Sequence, residues 1–181
     1  MLDASVSMQV PAALIRRTRC KGNPITMHVY RLHRTQILPV SLETAWDFLC
    51  RPEHLRDLTP PGVGLTVTSD LPDRMYPGLI ITYRLGLYSM FYFNWVTEIT
   101  QAEPLRYFID EQRSGPYKFW HHEHRLRPKA QGVEMTDLIH YALPFGFLGR
   151  MVHAAIVKRQ LNAIFDYRHE ALSGILGGPV R

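Results

Sequence analysis

A histidine-rich segment, Trp120-His121-His122-Glu123-His124, is the part of the sequence best suited to chemistry. Alternate residues of a β-strand share a face, so Trp120, His122 and His124 should lie on one side of the strand. His121 and Glu123 fall on the other side, which two arginines continue and which we expect to face solvent. Two imidazole side chains then point into the interior, where such groups bind ligands, transfer protons or bind metals.

Acidic partners for these histidines are expected on the two neighbouring strands. If the hairpin loop spans residues 128–132, Asp137 lies opposite His122 on the next strand. The same reasoning across the preceding turn, Gly115-Pro116, places Asp110 and Gln112 near His122 as well. The segment therefore predicts a polar cluster inside an otherwise aromatic interior.

Three interpretations of this cluster stay open. It is a buried polar network that satisfies itself, a polar anchor for the head of a largely apolar ligand, or a catalytic site. In the catalytic case, His122 is oriented by Asp137 and acts as a general acid or base for cyclisation, dehydration or hydrolysis. Zinc would need Asp137 or Asp110 as a third ligand beside His122 and His124, and nothing in the spacing demands it. We therefore expect no metal and no cofactor.

The order of elements that must position these residues is a strand, two short helices, six strands and a long helix. Runs of strands flanked by helices are typical of an α+β fold, with an antiparallel sheet laid over one helix. The predicted elements are strand 29–38, helices 42–49 and 52–58, strands 63–69, 78–88, 91–101, 104–112, 117–127 and 132–143, and helix 147–172.

Over about residues 27–173 the chain resembles the START / polyketide cyclase-dehydrase-like (SRPBCC, helix-grip) superfamily. The resemblance rests on three segments: ILPVSLETAWDFLCRPEHLRDLTPP (37–61), DEQRSGPYKFWHHEHRL (110–126) and YALPFGFLG (141–149). The last two are similar to signatures of one bacterial branch of uncharacterised or cyclase/dehydrase-like proteins. The resemblance implies a curved, seven-stranded antiparallel sheet that grips the long C-terminal helix, with an apolar cavity between them for a hydrophobic ligand.

Small side chains in the middle of the long helix, Ala154 and Ala155, lie opposite strands rich in aromatic residues. This contrast in size either leaves room for a ligand or allows close packing of helix on sheet. The predicted ligand-binding residues are Tyr83, Trp95, Asp110, Gln112, Trp120, His122, His124, Asp137, Met151, Ala154 and Ala155.

The N-terminal residues 1–26 differ from the rest, with no aromatic residue and no histidine. We expect them to form a flexible extension, with 27–173 as the ligand-binding domain and 174–181 as a flexible tail; Met27 is an alternative start to Met1. The extension contains four of the 21 basic residues and one of the 16 acidic ones, so most of the net charge of +5 belongs to it. The charge of the domain is mixed, which argues against nucleic acid as a partner.

The remaining composition favours a soluble protein of the cytoplasm. Cys20 and Cys50 have no metal-ligand spacing and are too few for a disulfide framework, which indicates a reducing compartment. No run of 18 apolar residues is present, so we expect no membrane span, and the N-terminus does not read as a signal peptide.

These observations predict a binding protein for a hydrophobic small molecule, such as a lipid, a polyketide-like compound or an isoprenoid. Whether the protein is an enzyme stays open, because a small cyclase- or dehydratase-like enzyme using His122 and Asp137 fits the same pattern. A regulatory or interaction domain with a vestigial cavity is the third alternative. A homodimer is also compatible with the sequence.

Overall fold

The computed structural model describes residues 27–87 and 91–177, with the side chains of Leu87, Phe91, Val152 and Ala154 left out. The predicted extension 1–26 and the last four residues of the predicted tail lie outside the described residues. The elements are β1 (Tyr30–Leu38), α1 (Leu42–Leu49), a 3-10 helix (Pro52–Leu55), β2 (Gly64–Val67), β3 (Ile80–Leu87), β4 (Phe91–Glu103), β5 (Tyr107–Ser114), β6 (Phe119–Lys129), β7 (Gly132–Ala142), α2 (Gly146–Val152), a π-helical turn (His153–Val157) and α3 (Lys158–Ile175).

The seven strands form one antiparallel sheet in the order β1-β7-β6-β5-β4-β3-β2, which confirms the predicted fold. Local sequence explains the short helices after β1. The Ser41 hydroxyl accepts a hydrogen bond from the Thr44 N–H and caps α1, and Pro52 begins the 3-10 helix at a position that needs no N–H donor. In the described part of the chain, no helix is both long and apolar enough to cross a membrane.

The core consists of two hydrophobic clusters between the sheet and the helices. The first lies under α1 and the end of α3 and includes Trp46, Met135 and Leu172. The second lies under the middle of α3 and includes Ile139 and Phe165. The cavity described below is lined by residues of both clusters.

The β6–β7 hairpin is tighter than predicted. Its loop is residues 130–131 rather than 128–132, so Lys129 pairs with Gly132, and His122 lies opposite Ile139, not Asp137. Pro128 favours a longer loop in the sequence, but the last hydrogen bond on this edge of β6 is from the Leu126 N–H to the Arg106 carbonyl. Beyond Leu126 the edge is free, so the missing N–H of Pro128 is tolerated. The shift is two residues, so the predicted faces are unchanged.

The C-terminal helix is not the single amphipathic helix that was predicted. Its π-helical turn adds a residue, which rotates the preceding turns relative to α3. Phe147 and Met151, before the turn, are 68% and 55% exposed, whereas Leu161, after it, is buried. The helix also continues beyond the predicted end at residue 172, as far as Ile175.

The anchoring of α3 can be tested by truncating one buried side chain. Leu172 is fully buried in the first core cluster, so we expect Leu172→Ala to lower the free energy of unfolding by about 2–5 kcal/mol. Ile175, on the same helix, is 47% exposed, and Ile175→Ala should cost about 1 kcal/mol or less. Urea denaturation of both variants measures the difference, and equal losses would contradict the assigned packing of α3.

Candidate functional site

Two histidines of β6 meet two aspartates, one from each neighbouring strand. Asp110 on β5 lies opposite His122, and Asp137 on β7 lies opposite His124. Each histidine also reaches the aspartate diagonal to it, which strand neighbours on one face can do. The four side chains, here called the His–Asp cluster, therefore form a closed ring across three strands.

The distances within the His–Asp cluster are short. His122 Nε2 lies 3.0 Å from Asp137 Oδ1, and its Nδ1 lies 3.1 Å from Asp110 Oδ2. His124 Nε2 donates to Asp110 Oδ2 over 3.2 Å. His124 Nδ1 is 2.8 Å from Asp137 Oδ1 but out of line for a hydrogen bond, so this buried nitrogen has no hydrogen-bond partner.

Aromatic rings enclose the cluster. Phe108 stacks on the ring of His124 with the centroids 4.1 Å apart, and Phe165 of α3 approaches the ring of His122 edge-on at 5.5 Å. The indole N–H of Trp120 donates to Asp110 Oδ1 over 3.4 Å. His122, His124 and Asp137 are consequently at least nine-tenths buried.

The electrostatics of the cluster favour charged groups despite the burial. Burial alone would raise the pKa of Asp110, but His122 and His124 outweigh it and hold that pKa far below its usual range. The same competition between burial and the two histidines lowers the pKa of Asp137. Burial opposes protonation of His122, yet Asp110 and then Asp137 raise its pKa overall. The favoured state of His122 is therefore an imidazolium between two carboxylates.

The cluster also contains a set of possible metal ligands. Asp110, His122 and His124 each offer a ligand atom, all within 4.8 Å of one another. Two histidines and one carboxylate suit zinc and similar ions. A metal would have to displace the protons by which the histidines bind the aspartates. The expectation that no metal is bound stays a prediction.

A cavity of about 200 Å³, partly open to solvent, lies between the sheet and α3 above the cluster. Its wall is mainly apolar, and Asp110, His122 and His124 form a polar part of it. The aromatic residues of the wall are Phe48, Tyr83, Phe93, Trp95, Phe108, Tyr117, Trp120 and Phe165. Such a surface, apolar with a few convergent polar groups, is typical of small-molecule sites.

The structure brings most of the predicted strand residues together. Tyr83, Trp95 and Trp120 line the cavity beside Asp110 and the two histidines. Asp137 contacts both histidines but does not line the cavity, so it lies on the side of the histidine rings that faces away from the cavity.

Gln112, also predicted as a cavity residue, is directed elsewhere. Its amide Nε2 donates to the Tyr117 carbonyl over 2.7 Å, and its Oε1 accepts from the Tyr117 N–H over 3.2 Å. The backbone of the β5–β6 loop therefore binds this side chain. Gln112 does not line the cavity, and its role in ligand binding stays a prediction.

Of the predicted helical residues, Met151 and Ala155 are not brought to the cavity. Met151 and Ala155 are exposed, and the side chain of Ala154 lies outside the described residues. The π-helical turn explains the error, because extrapolating a period of 3.6 residues across it carries the wrong face to the sheet.

None of the residues that α3 does contribute was among the predicted ligand-binding residues. Gln160, Leu161, Ile164, Phe165 and Arg168 line the cavity. Arg168 follows Leu161 by seven residues and Phe165 by three, so the helical spacing alone could have placed it on the cavity-facing stripe.

No family model matches the chain, and no curated protein matches it. Solved structures do match. An aromatase/cyclase, ZhuI, from a Streptomyces species is 14% identical, with a TM-score of 0.61 over 83% of this chain and 94% of that one. A point mutant of norcoclaurine synthase from Thalictrum flavum, in complex with a transition-state analogue, is 14% identical, with a TM-score of 0.59 over 82% of this chain and 96% of that one.

A protein from Rhizobium loti is 12% identical, with a TM-score of 0.62 over 81% of this chain and 99% of that one. Identities this low show a shared fold and no more. The chain therefore shares its helix-grip fold with these proteins, and this is the fold that the resemblance in sequence predicted.

The pH dependence of stability tests the His–Asp cluster. The raised pKa of His122 stabilises the fold fully below its unfolded-state value of about 6.5, and this contribution is lost as the pH rises through the folded-state value. The lowered pKa of Asp137 stabilises above about pH 3.9 and is lost as the pH falls through its folded-state value. We expect the contribution of the cluster to be largest between about pH 4 and 6.5.

Urea denaturation from pH 5 to 9 measures this effect. The unfolding free energy of the wild type should fall above about pH 6.5, and His122→Gln should remove most of that fall while lowering stability at pH 6 by about 3–5 kcal/mol. His33→Gln, at an exposed position of β1, is the control and should behave as the wild type. Parallel pH curves for wild type and His122→Gln would show that His122 is not held protonated.

Proposed function

We propose that the protein binds a small, largely hydrophobic molecule in the cavity between the sheet and α3. The observation that carries this proposal is the partly open cavity of about 200 Å³ with a mainly apolar, aromatic wall. Well-packed interiors seldom leave a void larger than a water molecule, so an apolar space of this size calls for an occupant.

The size of the cavity limits the ligand. A cavity of about 150 Å³ in another protein accommodates benzene, so about 200 Å³ suits a molecule of one or two rings, or a short alkyl chain. Among the predicted classes, small polyketide-like and isoprenoid compounds fit better than a whole lipid. The His–Asp cluster at one end offers the ligand a polar contact, while the aromatic wall holds its apolar part.

Blocking the cavity tests the proposal. Ile164 of α3 lines the cavity, so Ile164→Trp should fill it and weaken binding of 2-naphthalenemethanol more than tenfold. Ile175→Trp, an exposed position on the same helix, is the matched control and should bind as the wild type. Isothermal titration calorimetry measures the affinity of both variants, and thermal melting verifies that they fold. Native mass spectrometry of the wild type shows whether an apolar molecule co-purifies. Unchanged binding by Ile164→Trp would place the ligand outside this cavity.

Catalysis is a second candidate, because His122 lines the cavity and its raised pKa favours the protonated ring. A protonated imidazole can donate its proton to a leaving hydroxyl group, which departs as water. Asp137, behind the ring, would orient it through the 3.0 Å contact with Nε2. These are the roles of a small cyclase- or dehydratase-like enzyme.

A short polyketone tests this second candidate. 2,4,6-Heptanetrione loses one water as it closes to 2,6-dimethylpyran-4-one, which absorbance or NMR follows. If His122 is the acid, the wild type accelerates this reaction, His122→Gln lowers the rate about 100-fold or more, and Asp137→Asn lowers it while shifting the pH profile. His33→Gln should retain the wild-type rate. A wild-type rate equal to that of buffer would remove the case for this chemistry.

A further inference from the structure

A positively charged side chain lies in the cavity wall without a partner. Arg168 follows Phe165 on the cavity-facing stripe of α3, and its guanidinium carbon lies 4.8 Å from the centre of the Phe165 ring. Its Nε is buried and has no hydrogen-bond partner. Across residues 27–87 and 91–177, no acidic group forms an ion pair with Arg168. Arg168 as a whole is only partly buried, but a charged donor atom that is withdrawn from solvent normally has an acceptor, so the Nε–H indicates a missing one.

A second donor in the same cavity is also without an acceptor. Trp95 is 7% exposed and lines the cavity, and its indole Nε1 is buried with no hydrogen-bond partner. Buried indole N–H groups usually find an acceptor. Trp95 and Arg168 come from different elements, β4 and α3. Two independent observations therefore show that donors in the cavity wall lack hydrogen-bond acceptors.

Neither carboxylate of the His–Asp cluster accepts a hydrogen bond from Trp95 or Arg168. Asp110 accepts hydrogen bonds from Trp120 and His124 and also faces His122, and Asp137 lies behind both histidines. The His–Asp cluster thus uses its own acceptors. We therefore assign the hydrogen-bond acceptor of Trp95 and Arg168 to the ligand.

We infer that the ligand is a small aryl or alkyl carboxylate, with its carboxylate on Arg168 and its apolar part against the aromatic wall; this rests on the proposed function. A guanidinium binds a carboxylate through two parallel hydrogen bonds, and the unpartnered Nε–H supplies one of them. Within the wall, Tyr83 and Trp95 stack with their ring centres 6.2 Å apart, and Trp120 meets Trp95 edge-on at 5.2 Å. The stacked faces of Tyr83 and Trp95, with Trp120 perpendicular to them, offer both face and edge contacts to a ring system.

Two probes that differ only in the polar group test the inference. 2-Naphthoate and 2-naphthalenemethanol share one ring system, and only the first is an anion at pH 7. In isothermal titration calorimetry, we expect the wild type to bind naphthoate at least tenfold more tightly. Arg168→Met retains the alkyl stem over Phe165 and should weaken naphthoate tenfold or more, leaving naphthalenemethanol within twofold. Arg168→Lys should retain part of the preference, and Arg159→Met, exposed on the same helix, should retain all of it.

The outcomes separate this inference from the proposed function. Equal affinities of the wild type for the two probes, or a preference that survives in Arg168→Met, overturn the carboxylate assignment and leave the proposed cavity function standing. No binding of either probe up to its solubility limit contradicts the proposed function and the inference together. Trp95→Phe removes the second donor and should weaken both probes by a similar factor, since both carry an oxygen acceptor; unchanged affinities would exclude Trp95 from the site.

Discussion

The charges of two aspartates beneath the cavity constrain the rest of the sheet. Asp110 and Asp137 stay ionised because β6 supplies the two histidines that offset their burial. A slip of β6 by one residue would carry both histidines to the outer face, and a slip by two would leave one aspartate without its opposite partner. The cluster therefore favours a single register of β5, β6 and β7, and the cavity wall that these strands form depends on it.

The polar groups of the cavity fall into two kinds. The His–Asp cluster is satisfied largely from within, so a ligand gains little by replacing its contacts, whereas Trp95 and Arg168 offer donors that nothing in the described chain accepts from. Ligand binding needs only the unpartnered donors of Trp95 and Arg168. Catalysis by His122 would require a proton to leave a group held between two carboxylates, which the raised pKa opposes. The arrangement therefore favours recognition as the primary role of the wall.

The order of elements along the chain and the inward face of β6 could be predicted from the pattern of polar and apolar residues, and the helix-grip fold from the resemblance in sequence. The pairing of individual residues between strands was harder to predict. The pairing of His122 depends on the length of the β6–β7 loop, and Pro128 suggested a longer loop than the free edge of β6 requires. Gln112 does not line the cavity because its partners are backbone atoms of Tyr117, which no side-chain pattern reveals. A π-helical turn likewise leaves no periodic signal of its own.

That turn, His153–Val157, separates the helix into two segments whose faces are set independently. One residue rotates an α-helix by about 100°, so a single insertion or deletion there would turn Met151 and its neighbours without moving α3 or the sheet. Phe147, Leu148 and Met151, before the turn, face solvent, whereas Leu161 and Phe165, after it, line the cavity. A change of length at this turn would therefore reshape one surface of the protein and leave the cavity wall in place.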